Sequence, residues 1–188
     1  MFDNIRIVNQ DKMKQSITFL LLLFFSVTFG QDPAKSVSSE IMESIKSDVW
    51  VPFMESYDEL DSQKIKTIHS QDIVRVLVHQ NQVETGSTYL DNFAGFIESV
   101  KDKGNRIGIS FAILTTAVDH IGTIAYQTGY YRFRSYGNGA KNPIFQGYGY
   151  FHVGLRKENG TWKIWLDSDN HTDITDEDFN NCEIIYEL

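Results

Sequence analysis

Apolar residues return about every four positions from Ile41 through Ile45, Val49 and Phe53 to Tyr57, the spacing that lines one face of a helix. Pro52 removes a backbone donor inside that stretch, so the helix is expected to kink or restart there. Asp61 is placed to cap a shorter helix, Ser62 to His69. The period then changes. Ile73-Val74-Arg75-Val76-Leu77-Val78-His79 is rich in β-branched residues and reads as a strand. Thr85-Gly86-Ser87 turns the chain, Ser87 or Thr88 caps, and Leu90, Phe93, Ile97 and Val100 follow at helical spacing up to Gly104, a natural helix stop.

From Arg106 to Asp169 the pattern alternates with period two, broken at 119–122, 136–143 and Asn159-Gly160. Four long strands joined by three reversals are predicted. Helices, a strand, a helix and then an antiparallel meander make an α+β domain with its helices against one face of the sheet. Gly129, Gly147, Gly149 and Gly154 sit inside strand patterns, where they predict bends or bulges that curl the sheet into a cone with a mouth.

Turn chemistry predicts which side chains share a face. A two-residue turn at Asn159-Gly160 sets Leu155 opposite Ile164, Val153 opposite Leu166 and Phe151 opposite Ser168, an apolar face that includes Trp162. His152 then opposes Asp167, and Tyr150 opposes Asp169, on the other face. A turn near His120-Ile121 sets Phe111 opposite Tyr130 and Ile109 opposite Arg132. Ile107, Ile109, Phe111, Ile113, Ile124, Tyr126, Tyr130 and Arg132 would thus form a mostly apolar wall with a few polar groups, as a small-molecule pocket needs. A bulge at Gly129 would invert that assignment beyond it.

The N-terminus changes the domain picture. Lys14 precedes an apolar run from Ile17 to Phe29 that ends in Thr28-Phe29-Gly30, the basic, apolar and small-residue order of a secretory signal. Thirteen helical residues span only about 20 Å, short of a hydrocarbon core near 30 Å. Residues 1–30 are therefore expected to be an upstream extension and a cleaved signal, with Met13 as the start, Gln31 as the mature N-terminus, and a secreted or periplasmic product without stable membrane insertion. Residues 31–169 make the domain and 170–188 an acidic C-terminal tail.

Of 17 basic and 25 acidic residues, three and two lie in residues 1–30. Eight of the remaining acids, and no lysine or arginine, lie from Asp167 onward. With no basic stripe, nucleic acid is not an expected partner. One cysteine, Cys182, leaves an exported chain without an internal disulfide.

Five segments occur in a telling order: Val51-Pro52-Phe53 with Tyr57 and Asp61, then Ile68-His69-Ser70-Gln71-Asp72, then Gln127-Thr128-Gly129-Tyr130-Tyr131-Arg132-Phe133. Gly147-Tyr148-Gly149-Tyr150-Phe151-His152-Val153 follows, and then the run from Leu155 through Asn159-Gly160 to Ile164, ending at Asp167-Ser168-Asp169. Together, over residues 41–169, they resemble the nuclear transport factor 2-like superfamily, in particular its SnoaL-like branch of often exported bacterial proteins. The resemblance implies a curved sheet wrapped on a long N-terminal helix, a pocket between them, and homodimerisation through the outer face of the sheet. The superfamily spans isomerases, dehydratases, cyclases, hydrolases and binding domains, so fold does not choose the chemistry.

The candidate catalytic residues are His69, His152 and Asp167. His152 with Asp167 would make an oriented general base, although their register also suits a surface or dimer-interface pair. His69 would bring an imidazole to the mouth, or simply end a helix. Tyr57, Tyr126, Tyr130 and Arg132 are the candidate ligand-binding residues, although Tyr57, like Trp50, is better suited to the core. An arginine on an apolar face needs a ligand anion or a structural carboxylate such as Asp61.

Five histidines show no zinc spacing. Asp167, Asp169, Asp173, Asp176 and Asp178 fail as a calcium loop because His171 and Thr172 stand where a ligand and glycine belong. No metal or cofactor is expected. The leading expectation is a small, largely apolar ligand in the cone, with a cofactor-independent isomerase, dehydratase or hydrolase and a dimeric interaction module as alternatives.

Overall fold

A computed structural model describes residues 37–188; the expected export signal and its cleavage site lie outside them. Ser38 caps the first helix, α1 (Ser39–Ile45), by accepting a hydrogen bond from the Ile41 amide. The helical path continues through a π-helical turn, Lys46–Trp50, into α2 (Val51–Asp58). Pro52 falls in the first turn of α2, so the helix restarts where a missing donor is tolerated. Asp61 caps α3 (Ser62–Thr67), accepting from the Gln63 and Lys64 amides at 2.9 Å each.

Strand β1 (His69–Leu77) begins four residues before the predicted start, and a short strand, β2 (Gln82–Thr85), precedes the long helix α4 (Gly86–Asp102). Gly104 at φ 66° then reverses the chain, as its position predicts. The expected meander follows as β3 (Arg106–Val118), β4 (Ile124–Tyr136), β5 (Phe145–Glu158) and β6 (Thr161–His171).

The chain from 170 onward does not run out as a solvated tail. It forms α5 (Asp176–Asn180), held by a reciprocal Thr175–Asp178 capping box, and β7 (Ile184–Tyr186), which pairs antiparallel with β3. Phe179 becomes fully buried and Tyr186 nearly so. Burial of these aromatic groups outweighs the preference of the neighbouring acids for water, and those acids remain at the surface.

The sheet order is β2-β1-β6-β5-β4-β3-β7, antiparallel throughout except for the parallel β1–β6 pair. Its inner face holds Phe111, Phe151, Leu155, Trp162 and Ile164 against Val49, Trp50 and Phe53 of the N-terminal helical segment. Two indoles are satisfied, Trp50 Nε1 donating to Gln127 Oε1 at 2.8 Å and Trp162 Nε1 to Ser44 Oγ at 2.9 Å, whereas Trp165 Nε1 is buried without a partner among the described residues.

Two single-residue irregularities set the faces. The Asn159-Gly160 turn gives the predicted Leu155↔Ile164 pair, but Gly154 pairs with Leu166, leaving Trp165 as an extra residue in β6. Beyond it Val153 opposes Asp167 and Phe151 opposes Asp169. In β3 the extra residue is Leu114: Thr115 pairs with Thr128, whereas Ile113 pairs with Gly129 and Phe111 with Tyr131. Both bulges lie across from a glycine or beside it, as the strand glycines suggested, although the inserted residue belongs to the facing strand. Gly154 supplies the space, since a Cβ there would come within 3.0 Å of the Trp165 ring.

Candidate functional site

A cavity of about 700 Å³ opens between α2, α4 and the inner face of the sheet. Trp50, Phe53 and Tyr57 from the N-terminal helical segment and Tyr89 and Phe93 from α4 supply aromatic walls. Phe111, Tyr131, Phe133 and Phe151 complete them from the sheet. Tyr131 lies over Gly149, where a Cβ would come within 2.2 Å of the phenol ring, so that glycine is what gives the ring its place.

One side of this aromatic chamber is charged. The parallel pairing sets Arg75 of β1 opposite Asp167 of β6, and Arg75 Nη1 meets Asp167 Oδ2 at 2.7 Å. Arg75 Nη2 meets the Asp169 carboxylate, and Tyr89 Oη donates to Asp167 Oδ2 at 3.0 Å. The Trp165 bulge is what turns both aspartates inward. Burial alone would lower the proton affinity of Arg75, but Asp167, Tyr89 and Asp169 outweigh it and hold the guanidinium firmly charged. Burial and the same carboxylates raise the pKa of Tyr57, Tyr89 and Tyr131, so all three phenols stay neutral.

Tyr57 and Asp167 therefore take places on the cavity wall. His69 stands behind it, 2% exposed, packed against the rings of Phe53, Tyr89 and Phe93. Its Nδ1–H donates to the Ile65 carbonyl at 2.7 Å, while Nε2 is buried without a partner among the described residues. Burial pushes the imidazole down to about 4, so it is neutral near pH 7.

The other candidates lie on the outer face. His152 opposes Ser168, not Asp167, and its Nδ1 meets Tyr126 Oη at 2.7 Å. Tyr126 is 41% exposed. Tyr130 packs against Tyr150, with ring centroids 5.5 Å apart. Arg132 is buried outside the cone, beneath α5 and β7. It donates to Asp176 Oδ1 at 3.0 Å and Asn180 Oδ1 at 3.1 Å, meets the Glu187 carboxylate, and lies 4.4 Å from the Phe179 ring centre. Its carboxylate partners come from the C-terminal segment; Asp61 is occupied as a helix cap.

The two bulges explain all these displacements. The one at Leu114 moves Tyr131 onto the Phe111 face and so sends Tyr126, Tyr130 and Arg132 outward; the one at Trp165 separates His152 from Asp167. Arg75, Tyr89, Tyr131 and Asp169 were missed as site residues. Arg75 carried a readable signal, an arginine two residues from Ile73 and therefore on its face of the strand.

No protein-family model matches the sequence, and no curated protein matches it. Solved structures do. Aln2 from a Streptomyces species superimposes with a TM-score of 0.60 at 13% identity, over 73% of this chain and 94% of that one. ActVI-ORFA from Streptomyces coelicolor gives 0.60 at 12% identity, over 72% and 100%. A protein provisionally named a scytalone dehydratase, from Novosphingobium aromaticivorans, gives 0.55 at 16% identity, over 72% and 86%. A curled seven-stranded sheet closed over an N-terminal helix is common ground for the structure and for the resemblance in the sequence: the chain has a cystatin-like cone fold.

Proposed function

We propose that this domain binds a small, largely apolar and aromatic ligand inside the cone. The observation that carries the reading is the cavity of about 700 Å³ whose aromatic walls converge on Arg75, Asp167, Asp169 and the Tyr89 hydroxyl. Apolar lining with a few fixed polar groups is the usual composition of a small-molecule site. A neighbour of the same fold is provisionally named a scytalone dehydratase, a name that points to a small-molecule substrate for that protein.

Binding is favoured over proton abstraction by the state of the candidate bases. Asp167 is already engaged by Arg75 and Tyr89, His152 lies outside the cone, and His69 is behind the wall with weakened basicity. A panel of neutral aromatic compounds should therefore perturb Trp50 fluorescence on titration without being chemically altered. Asn92→Trp, at an exposed rim position that lines the cavity, should weaken that response at least tenfold. Equal binding by wild type and Asn92→Trp, or turnover of a bound compound, would sink the reading.

The domain is proposed to act outside the cytoplasm, on the strength of the Ile17 to Phe29 signal pattern. Expression of the whole sequence in a bacterial host should release a product that starts near Gln31; retention of the apolar run in the purified product would refute export. The outer cluster of Tyr126, Tyr130, Tyr150 and His152 supports a second reading, a homodimer through the sheet. Light scattering should then report twice the chain mass, and Tyr130→Lys should give monomers.

A further inference from the structure

Resting on the pocket reading, we infer that the ligand carries a positively charged end, an ammonium group on an apolar or aromatic body. The charged side chains that line the cavity are Arg75 on one side of the balance and Asp167, Asp169 and Glu84 on the other. His171, at the rim, is taken up by Asp173 at 3.0 Å. The chamber therefore sets three carboxylates against one guanidinium.

Arg75 does not offer an open anion site, because its two terminal nitrogens each meet an aspartate. Glu84 lies across from Arg75 in the β1–β2 register, and its carboxylate accepts a hydrogen bond from Gln82. Asp167 and Asp169 are only 13% and 21% exposed at their side chains. Carboxylates so shielded, and not balanced by equal positive charge, are costly until a cation arrives.

The remaining walls suit the same ligand. Trp50, Phe53, Tyr57, Phe111 and Tyr131 surround the space with π faces, which attract a cation most strongly where water is thin. Burial is the main cause of the raised pKa of Tyr57, Tyr89 and Tyr131, and Asp167 adds to it at all three, so the negative field of the carboxylates reaches these walls. A carboxylate ligand would meet that field with like charge.

The test uses three probes of one shape on the purified protein: 1-naphthylmethylammonium, 1-naphthylmethanol and 1-naphthoate, titrated by calorimetry at pH 7. The ammonium should bind at least tenfold more tightly than the alcohol, and the alcohol more tightly than the carboxylate. Glu84→Gln, which leaves the Arg75 pairs in place, should reduce the ammonium's advantage about threefold or more with little change for the alcohol. Asp169→Asn should reduce it further, and thermal melting confirms that each variant is folded. Equal binding of all three probes, or tighter binding of 1-naphthoate, overturns the cation assignment and leaves the pocket reading standing. Failure of all three to bind overturns both.

Discussion

Arg75 and Asp167 face each other across the parallel β1–β6 pair at 2.7 Å, on the inner wall of a cone otherwise lined by aromatic rings. A charge pair so placed is more sensitive to loss of one member than of both. Arg75→Met should destabilise the fold by about 3 kcal/mol, because the Asp167 and Asp169 carboxylates lose the guanidinium they share. Replacing Arg75 by Met and Asp167 by Leu together should cost less than the sum of the single changes. Urea unfolding of the four proteins measures the coupling, and additive costs would mean that the pair does not act as a unit.

His69 predicts a pH dependence with a definite sign. Its value in the folded chain, about 4, lies below the ordinary 6.5, so the unfolded chain takes up this proton first as the pH falls. Its contribution is therefore complete above about pH 6.5 and drains away down to about pH 4, by roughly 3 kcal/mol at most. His69→Leu should flatten that part of the stability profile, whatever it costs at neutral pH by unpairing the Ile65 carbonyl. An unchanged slope between pH 6.5 and 4 in the variant would contradict a buried neutral imidazole.

Gly149 and Tyr131 form a second coupled pair. Gly149→Ala would drive a methyl group to within about 2.2 Å of the Tyr131 ring and so should cost about 1–3 kcal/mol while displacing a cavity wall. The same substitution should be much milder in a Tyr131→Ala background. Thermal melts of the single and double variants decide it, and an equal penalty in both backgrounds would show that the ring is not what excludes the side chain.

The C-terminal segment should behave as part of the domain. Phe179 is fully buried beside Arg132, so Phe179→Ala should lower stability by about 3–5 kcal/mol and expose the segment to proteases. Limited proteolysis with mass mapping would locate the cuts. A variant as stable as the parent, uncut beyond residue 171, would mean that the segment's packing contributes little.

Much of the architecture is decided locally and is therefore legible in the sequence. The spacing of Ile45, Val49, Phe53 and Tyr57, the Asp61 cap, the Gly104 stop and the Leu155↔Ile164 register all arise from contacts between near neighbours, and the structure keeps them. A period-two pattern, however, holds no mark of one inserted residue. Whether Leu114 and Trp165 bulge depends on the room left by a facing strand, and each bulge reverses every side chain beyond it. That reversal took Tyr126, Tyr130 and Arg132 out of the pocket and brought Asp167 and Asp169 in. Arg75 and Asp169 are 94 residues apart in the chain and meet only because β1 docks parallel to β6. The helices and the long strands of the meander belong to the sequence; which charges face the cavity was settled by strand pairing at long range, where burial and sterics act together.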